Sequence, residues 1–330
     1  CWYSFNRAPV KEHELHSHLD YGFKNAEYSN MMKYALLLEL TNKAIDLESW
    51  EKFTVPYITE HYFKDPRYMS IENKAVVCAF QLGSLLKPTA MGSADNVKKA
   101  LDLLEQAAID CGYDGMIFMS CASGITKAEE AAMGVDVSYN YHFGTDGSRY
   151  DTNTTANIYQ AKDKATHTVP TASVGFQSVG WLDARYPLMN TNDYAKLNKW
   201  VADEFLPTFA DEDENWKSNT VMLSTWNEFG EGTYINPTKN NGGFGYLDGV
   251  REAYTDEKAD ESINTVPTDE QKRRINRMYP SYKQMLMHKG YVSKTAEKEI
   301  IFEVDGTTNT AIKASQMKDV KQDENGIGGI

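Results

Sequence analysis

Residues 223–232 read Leu-Ser-Thr-Trp-Asn-Glu-Phe-Gly-Glu-Gly, and they join the end of an apolar strand to a turn that carries two carboxylates. The approach, residues 220–226, is rich in β-branched, aliphatic and aromatic side chains, and the Asn and Gly residues that follow end the strand. Side chains three apart on a strand point to opposite faces, whereas one helical turn brings their Cβ atoms within about 5–6 Å. A turn permitted by glycine would therefore let Glu228 and Glu231 converge at the carboxyl end of this strand.

Two converging carboxylates are open to two interpretations. Most acidic pairs with this spacing lie on solvated loops, because ionised side chains are seldom buried. The neighbouring residues favour acid/base chemistry, because Trp226 offers a surface on which a sugar ring can stack and Asn227 offers a hydrogen-bonding amide.

The composition limits the classes of partner. The 330-residue chain is long enough for one barrel-sized domain with a small appendage, or for two ordinary domains. A net charge of −13 argues against nucleic acid and anionic membranes as partners. No apolar run approaches the length of about 18 residues that a membrane span needs. The twenty tyrosines and six tryptophans supply amphipathic rings that suit a carbohydrate cleft.

The four cysteines do not resemble a disulfide framework. Cys78 and Cys121 lie in or just after apolar, strand-like runs, and Cys111 ends a helical pattern. A free cysteine in such a place usually behaves as a small buried hydrophobic residue, so we expect structural thiols. Cys1 precedes a strand-like segment without an initiator Met or a signal peptide, which predicts a chain that starts within a domain.

Strand-like and helical segments alternate along the chain. An open doubly wound sheet would need a glycine-rich phosphate loop after an early strand, and neither G-x-G-x-x-G nor a Walker sequence occurs. We therefore predict an α/β fold, a (β/α)8 TIM-type barrel that lacks its first strand in this chain. Ser93 and Asp193 are the predicted caps of two helices. The predicted strands are 2–5, 33–39, 75–80, 115–120, 137–142, 171–176 and 220–227, and the predicted helical or loop stretches are 45–58, 96–111, 126–133, 154–166 and 192–210.

The barrel prediction also locates a site. In such barrels the chemistry gathers at the carboxyl ends of the strands, so the residues that close the predicted strands should face one pocket. This set is rich in amides and rings and poor in cations, and it suits a neutral polyhydroxylated ligand better than a phosphate. Its members are Tyr3, Glu39, Asn42, Gln81, Ser120, Tyr141, His142, Gln177, Trp181, Asn227 and Glu228.

Three segments resemble motifs of the glycoside hydrolase family 99-like (WbsX-like) proteins. The first runs from Trp226 to Pro237 and is followed by Gly-Tyr-Leu at 245–247. The others are Tyr-Phe-Lys-Asp-Pro-Arg-Tyr at 62–68 and Gly-Trp-Leu-Asp-Ala-Arg at 180–185. The resemblance covers about residues 1–290. The family often has Trp at the position of Phe229, an exchange that keeps an aromatic ring but loses any hydrogen bond made by the indole.

The resemblance implies a barrel enzyme that acts on α-linked, mannose-like sugars with retention of configuration. We accordingly expect an oligosaccharide or polysaccharide as substrate, neither a metal ion nor an organic cofactor, and a monomer. Glu231 would be the acid/base that protonates the leaving oxygen, and Glu228 the base that helps the sugar's own 2-hydroxyl attack the anomeric carbon. Such chemistry needs one carboxyl that keeps its proton and one that is ionised. The expected substrate-binding residues are Tyr3, Glu39, Tyr141, His142, Trp181, Arg185, Trp226 and Asn227.

Other classes of function have weaker support. The run His-Glu-Leu-His-Ser-His at 13–18 has Ser17 where H-E-x-x-H needs its second histidine, and it is typical of a polar loop or helix start. Gly83-Ser84 and Gly92-Ser93 do not form the G-x-S-x-G elbow of serine hydrolases. A non-catalytic carbohydrate-binding barrel stays open as an alternative. Sugar transfer during polysaccharide assembly stays open as well, although no basic diphosphate pocket is evident.

The C-terminal sequence predicts a domain boundary. Residues 281–290 resemble a last barrel helix that stops at Gly290, and residues 299–306 form an alternating strand with a turn. We expect the barrel at 1–292 and, at 293–330, either the start of an appended β-rich module or a disordered tail. Because modular glycosidases are more often exported than cytosolic, we expect a secreted or periplasmic protein, with a cytoplasmic location as the alternative.

Overall fold

The computed structural model describes residues 2–4, 19, 22–41, 45–143, 147–177, 188–210, 214–238, 243–264, 266, 268–271, 273, 303–304 and 307–308. The chain divides into two compact units, Cys1–Asn236 with Gly245–Lys258, and Pro237–Phe244 with Ala259–Ile330. The helix predicted at 281–290 lies outside the described residues, so the boundary at 292 stays a prediction.

The first unit is built on a mostly parallel sheet. Strands β1, β2, β4, β5, β6 and β7 lie side by side in chain order and pair in parallel, while β3 pairs antiparallel with β4. β8 and β9 form a second parallel pair. The strands are β1 (Trp2–Ser4), β2 (Leu36–Glu39), β3 (Ser70–Ile71), β4 (Lys74–Phe80), β5 (Gly115–Cys121), β6 (Val137–Tyr139), β7 (His167–Thr168), β8 (Thr171–Ser173) and β9 (Met222–Ser224).

Backbone hydrogen bonds connect the two parts of this sheet. Only Val169 and Pro170 separate β7 from β8. The Val169 amide donates to the Ser138 carbonyl of β6 at 3.2 Å, and the Met222 amide of β9 donates to the Pro170 carbonyl at 2.9 Å. The parallel strands thus follow one another in chain order without a reversal, which is the order of a TIM-type α/β fold and confirms the predicted fold class. All seven predicted strands are present, several of them shorter than predicted.

Helical segments connect the strands. The stretch predicted at 45–58 is a continuous helical run that alternates α and π geometry, and the one predicted at 154–166 begins and ends earlier, as α5. The α-helices are α1 (Leu47–Ser49), α2 (Val55–Ile58), α3 (Ala94–Asp110), α4 (Lys127–Ala132), α5 (Tyr150–Gln160), α6 (Thr191–Trp200) and α7 (Gly245–Tyr254). The π-helical segments are Trp50–Thr54, Thr59–Phe63 and Val201–Phe205, and the 3-10 segments of the same unit are Phe23–Asn25, Ser29–Met31, Leu82–Leu86, Leu206–Phe209, Asn215–Ser218 and Phe229–Glu231.

One of the two predicted helix caps is correct. The Ser93 side chain accepts a hydrogen bond from the Asn96 amide at the start of α3. The cap of α6 is Asn190, so the prediction of Asp193 is wrong. Asn190 Oδ1 accepts from the Asp193 amide at 2.9 Å, and Asp193 lies within the first helical turn. Asn and Asp are both common cap residues. A cap side chain accepts from the amide three residues later, so the sequence is compatible with a cap at either 190 or 193.

Side chains of the strands alternate between an inner and an outer core. Cys78, Ile117 and Val137 belong to the inner cluster, whereas Val77 and Phe118 pack with the apolar face of α3 in the outer cluster. A third cluster joins α6 and α7 to Ala172 of β8 and to Val174, which follows that strand. This alternation decides which strand residues can reach the barrel mouth.

The thiols behave as predicted. Cys78 and Cys121 are free and buried, and Cys111 is free and half-buried at the end of α3. Burial raises the pKa of the Cys78 thiol to about 11, so it stays protonated at neutral pH.

Little of the second unit is described. A 3-10 turn spans Glu261–Ile263, and β10 (Glu303–Val304) pairs antiparallel with β11 (Thr307–Thr308). This hairpin agrees with the strand and turn predicted at 299–306. Within the described ranges of the chain, no helix combines the length and the apolar character that crossing a membrane requires.

Candidate active site

The turn predicted for the two glutamates is present after β9. Glu228 lies at the N-terminal cap position of the 3-10 turn Phe229–Glu231, and Gly232 ends that turn with a φ of 61°. This left-handed conformation is one that glycine adopts readily and most other residues do not. The peptide bond between Ser224 and Thr225, at the start of the segment, is cis.

Backbone hydrogen bonds fold the segment back on itself. The Ile235 amide donates to the Thr225 carbonyl at 2.8 Å, and the Thr233 amide donates to the Glu228 carbonyl at 3.2 Å. The Thr225 hydroxyl also donates to the Thr233 carbonyl. These hydrogen bonds fix the backbone before and after Glu228.

The same turn is hydrogen-bonded to the segment that follows β8. The Gln177 amide donates to the Glu231 carbonyl at 2.7 Å. A Cβ atom on Gly232 would lie 2.6 Å from the Gln177 carbonyl oxygen, closer than real contacts allow. Gly232 is therefore required for two reasons, its backbone conformation and the close approach of residue 177.

The two carboxylates and Tyr141 form one electrostatic cluster. Burial raises the pKa of Glu231, the charge of Glu228 raises it further, and a hydrogen bond from Tyr141 lowers it. Burial and the charges of both glutamates raise the pKa of Tyr141, so its hydroxyl keeps its proton and donates. These mutual effects place three of the predicted site residues together at the barrel mouth.

Aromatic contacts hold Tyr141 and His142 in place. The Tyr141 ring meets Phe80, at the end of β4, edge to face with 5.9 Å between centroids. His142 stacks on Phe176 with 4.6 Å between centroids and 26° between the ring planes. The Ser224 hydroxyl donates to the Tyr141 carbonyl, which links the end of β9 to the segment after β6. Burial lowers the pKa of His142, which favours the neutral imidazole.

Two large rings beside the glutamates stay open to solvent. Trp226 and Phe229 are each about half-exposed, and Asn227 between Trp226 and Glu228 is exposed as well. Phe229 contacts Tyr234 with 4.8 Å between ring centroids. Exposed rings beside a half-buried acid form a surface on which a sugar face can pack.

The remaining predicted residues have different places. Glu39 ends β2 on the same side as Leu37, which packs on the inner core, and its Oε1 accepts from the Thr41 amide at 2.8 Å. Tyr3 pairs in register with Leu38 in the neighbouring strand. Asn42, Trp181 and Arg185 lie outside the described residues.

The prediction that Ser120 faces the mouth is wrong. Ser120 pairs in register with Ala79 and Ser138, and it lies on the side of Phe118, which packs in the outer core. Because side chains alternate along a strand, Cys121 takes the inward position one residue later. Assigning the end of the strand one residue too early was enough to select the wrong face.

Sequence reasoning missed two rings of the site. Phe80 and Phe176 support Tyr141 and His142, yet neither was a candidate because both read as ordinary apolar strand residues. Their positions at the ends of predicted strands were the available signal. Among the described residues no group of three or more His, Cys, Asp or Glu side chains is arranged to hold a metal ion, and residues 13–18 lie outside that part.

The comparison with known families identifies the class of protein. The sequence matches the family described as "Glycosyltransferase WbsX" over residues 25–250. This match spans more than half of the chain, and the protein belongs to the WbsX family. No curated protein matches the sequence.

Three solved structures, of two proteins, are similar to this chain. One, a "glycoside hydrolase-like protein", is 13% identical with a TM-score of 0.46, and the match covers 68% of this chain and 71% of that one. The family 99 endo-α-mannosidase of Bacteroides thetaiotaomicron in complex with bis-tris-propane is 14% identical with a TM-score of 0.49, and the match covers 76% of each chain. A further structure of that endo-α-mannosidase is 12% identical with a TM-score of 0.47, covering 76% of this chain and 72% of that one.

Proposed function

We propose that the protein cleaves α-linked, mannose-like glycans with retention of configuration, using Glu228 and Glu231 as its catalytic pair. The observation that supports this proposal is the raised pKa of Glu231, caused by burial and by the nearby charge of Glu228. A reaction that needs a protonated and an ionised carboxyl side by side can use such a pair. The substrate would be an oligosaccharide or polysaccharide.

The proposed reaction has two displacements at the anomeric carbon. In the first, the sugar 2-oxygen bonds to that carbon while its proton passes to Glu228, and the bond to the leaving oxygen breaks as Glu231 protonates that oxygen. In the second, water bonds to the anomeric carbon and gives a proton to Glu231, the bond to the 2-oxygen breaks, and Glu228 returns the proton to it. Two inversions give net retention.

Other residues at the mouth would bind the sugar. The exposed ring of Trp226 offers a stacking surface, and Asn227 and neutral His142 can hydrogen-bond to hydroxyl groups. Tyr141 contacts Glu231 directly and would hold that carboxyl in position. Tyr3, Glu39, Trp181 and Arg185 stay predicted substrate-binding residues.

Sugar transfer is the second candidate function, because the matching family is described as a glycosyltransferase. The same pair of glutamates could pass the sugar to a hydroxyl group of an acceptor instead of to water. In that case the acceptor hydroxyl gives its proton to Glu231 in the second displacement, and the atoms balance in the same way. A binding barrel without catalysis is the third alternative.

Substitution of each glutamate tests the proposal. The wild type, Glu231→Gln and Glu228→Gln are assayed on α-mannans and aryl α-mannosides, with Glu27→Gln as a matched control at an exposed position. We expect each active-site variant to lose at least about 100-fold in turnover, since general acid or base catalysis contributes about that much. Full turnover in both variants would show that the catalytic assignment is wrong.

Two further assays separate the alternatives. A 2-deoxy mannoside lacks the attacking hydroxyl, so it should bind without being cleaved, and cleavage at the normal rate would exclude participation of the 2-hydroxyl. Adding an oligosaccharide acceptor yields longer glycans if transfer is the main reaction. Binding without either product would favour the non-catalytic barrel.

Action on polymeric glycans also leads us to infer an exported protein, which cell fractionation tests.

A further inference from the structure

A second cavity lies away from the glutamate pair. It has a volume of about 530 Å³ and is enclosed by the loop after β5, by α4 and by the C-terminal end of α5. Neither Glu228 nor Glu231 lines it. Small-molecule sites in proteins usually measure about 300–1,000 Å³, so the cavity is large enough for a ligand of one or two sugar rings.

The cavity opens on the outer side of the sheet. Ser120 of β5 and Ser138 of β6 line it and pair in register. Ser120 lies on the side of Phe118, which belongs to the outer core. The outer surface of these strands is apolar where α3 covers it and polar where the cavity lies. The helices therefore do not pack directly on the sheet at the cavity.

A buried hydroxyl in this cavity has no partner. Ser120 is 1% exposed, and its Oγ makes no hydrogen bond within the part of the chain that the structure describes. A buried polar atom without a partner lowers stability, and proteins keep few of them. Because the oxygen itself has almost no accessible surface, a ligand hydroxyl would bond to it when a neighbouring side chain of the wall moves aside.

Other polar side chains of the cavity wall hydrogen-bond to one another. Glu130 is 3% exposed and accepts a hydrogen bond from the Ser138 hydroxyl. Asn140 Nδ2 donates to Gln160 Oε1 at 2.5 Å. This bond leaves the Asn140 amide oxygen and the Gln160 amide nitrogen unpaired among the described residues. The wall therefore presents a hydrogen-bond acceptor and a donor in fixed positions, and the Ser120 hydroxyl is buried within the wall.

The charges of the wall balance. Lys127 and Lys162 oppose Glu130 and Asp163, and the Lys127 ammonium is already engaged by the carbonyls of Asp163 and Thr166 at 2.9 and 2.8 Å. A balanced wall favours a neutral ligand over an anion. Tyr159 also lines the cavity and is 73% exposed, which leaves its ring free to cover one face of a ligand.

We propose that this cavity is a second binding site for a neutral mono- or disaccharide, separate from the glutamate pair and independent of whether that pair is catalytic. Its hydroxyl and amide groups bind sugar hydroxyls, and Tyr159 packs on the ring.

Binding of small glycosides by the full chain tests the proposal. The methyl α-glycosides of mannose, glucose and N-acetylglucosamine are titrated by isothermal calorimetry and by saturation-transfer NMR, with glucuronate and inorganic phosphate as charged comparators. The variants are Ser120→Ala, Tyr159→Ala and Ile158→Ala. Ile158 is the matched control because it neighbours Tyr159 on α5, is 46% exposed and does not line the cavity.

At least one neutral glycoside should bind. Its affinity should fall about five- to tenfold in Ser120→Ala and in Tyr159→Ala and stay unchanged in Ile158→Ala, in keeping with the loss of one hydrogen bond or one ring contact. Hydrolysis by the glutamate pair should be the same in all three variants. If no variant hydrolyses a glycan but binding still falls in Tyr159→Ala, the second site stands and the proposed function does not.

Three results would overturn the second site. These are no binding of any neutral glycoside, affinities that neither variant changes, and binding of glucuronate or phosphate in place of neutral glycosides. Ser120→Ala removes a hydroxyl that has no partner and adds no volume, so it should fold with a melting temperature close to that of the wild type. If it does not fold, Tyr159→Ala at the surface decides the outcome.

Discussion

Replacing Tyr141 with phenylalanine changes the proton affinity of Glu231 in a defined direction. The Tyr141 hydroxyl makes the hydrogen bond that lowers the pKa of Glu231, while burial and the charge of Glu228 raise it. Tyr141→Phe removes the lowering effect and leaves both raising effects in place. The ring contact with Phe80 is kept, because phenylalanine has the same ring without the hydroxyl. The pKa of Glu231 should therefore rise.

The size of the change follows from the bond that is lost. A hydrogen bond to a charged acceptor is worth about 1.5–3 kcal/mol, which corresponds to about 1–2 pH units. Glu231 is only half-buried, so screening by solvent leaves part of this effect. A change of that size is well within the resolution of a pH titration.

Two assays measure it. If Glu231 is the general acid, it must hold a proton, so kcat/KM falls as the pH rises through its pKa, and this limb should move to higher pH in Tyr141→Phe. A ¹³C-NMR titration of labelled glutamate carboxyls follows the same group without using activity. Tyr28→Phe, at an exposed position, is the control and should leave both curves unchanged. A limb and an NMR pKa that stay in place, or that move to lower pH, would refute the assignment of the hydrogen bond.

Two stability measurements test the surrounding structure. Gly232→Ala should lower the free energy of unfolding by more than the roughly 1 kcal/mol expected for the control Gly134→Ala. Both glycines have a positive φ, but only a Cβ atom at position 232 would collide with the Gln177 carbonyl. Equal losses in urea unfolding would contradict this. Lys74 Nζ lies 2.9 Å from Glu214 and lowers the pKa of that carboxyl to about 2, so the contribution of the pair is complete above pH 4.5 and is lost as the pH falls towards 2. Both side chains are about one-third exposed, so Lys74→Met should cost only about 1 kcal/mol at pH 6 and almost nothing at pH 2, and a pH-independent loss would argue against the ion pair.

The fold was predictable because its strands are marked by apolar runs. β4 and β5 are buried along almost their whole length, as expected for parallel strands covered on both sides. The strands before and after them were found as well, since their ends coincide with glycine and polar clusters. The alternating α and π geometry at 47–63 was not predictable, because both geometries place similar side chains on the buried face.

The candidate site was predictable in part. The turn at Phe229–Glu231 follows from its glycine spacing, and Tyr141 and His142 follow from their place after a predicted strand. The pKa of Glu231 depends on burial and on Tyr141, which are contributed by other strands and leave no local signal. The face of Ser120 could not be inferred, since an error of one residue in a strand end reverses the direction of its side chains.

The most direct test of the proposed chemistry is a comparison of leaving groups. Glu231→Gln and Glu228→Gln are assayed on dinitrophenyl α-mannoside, whose leaving group needs no proton, and on an alkyl α-mannoside, whose leaving group does. If Glu231 is the acid, Glu231→Gln should lose far less activity on the dinitrophenyl substrate than on the alkyl substrate, whereas Glu228→Gln should lose similar activity on both. Equal losses on both substrates in Glu231→Gln, or selective rescue of Glu228→Gln, would contradict the roles assigned to the pair.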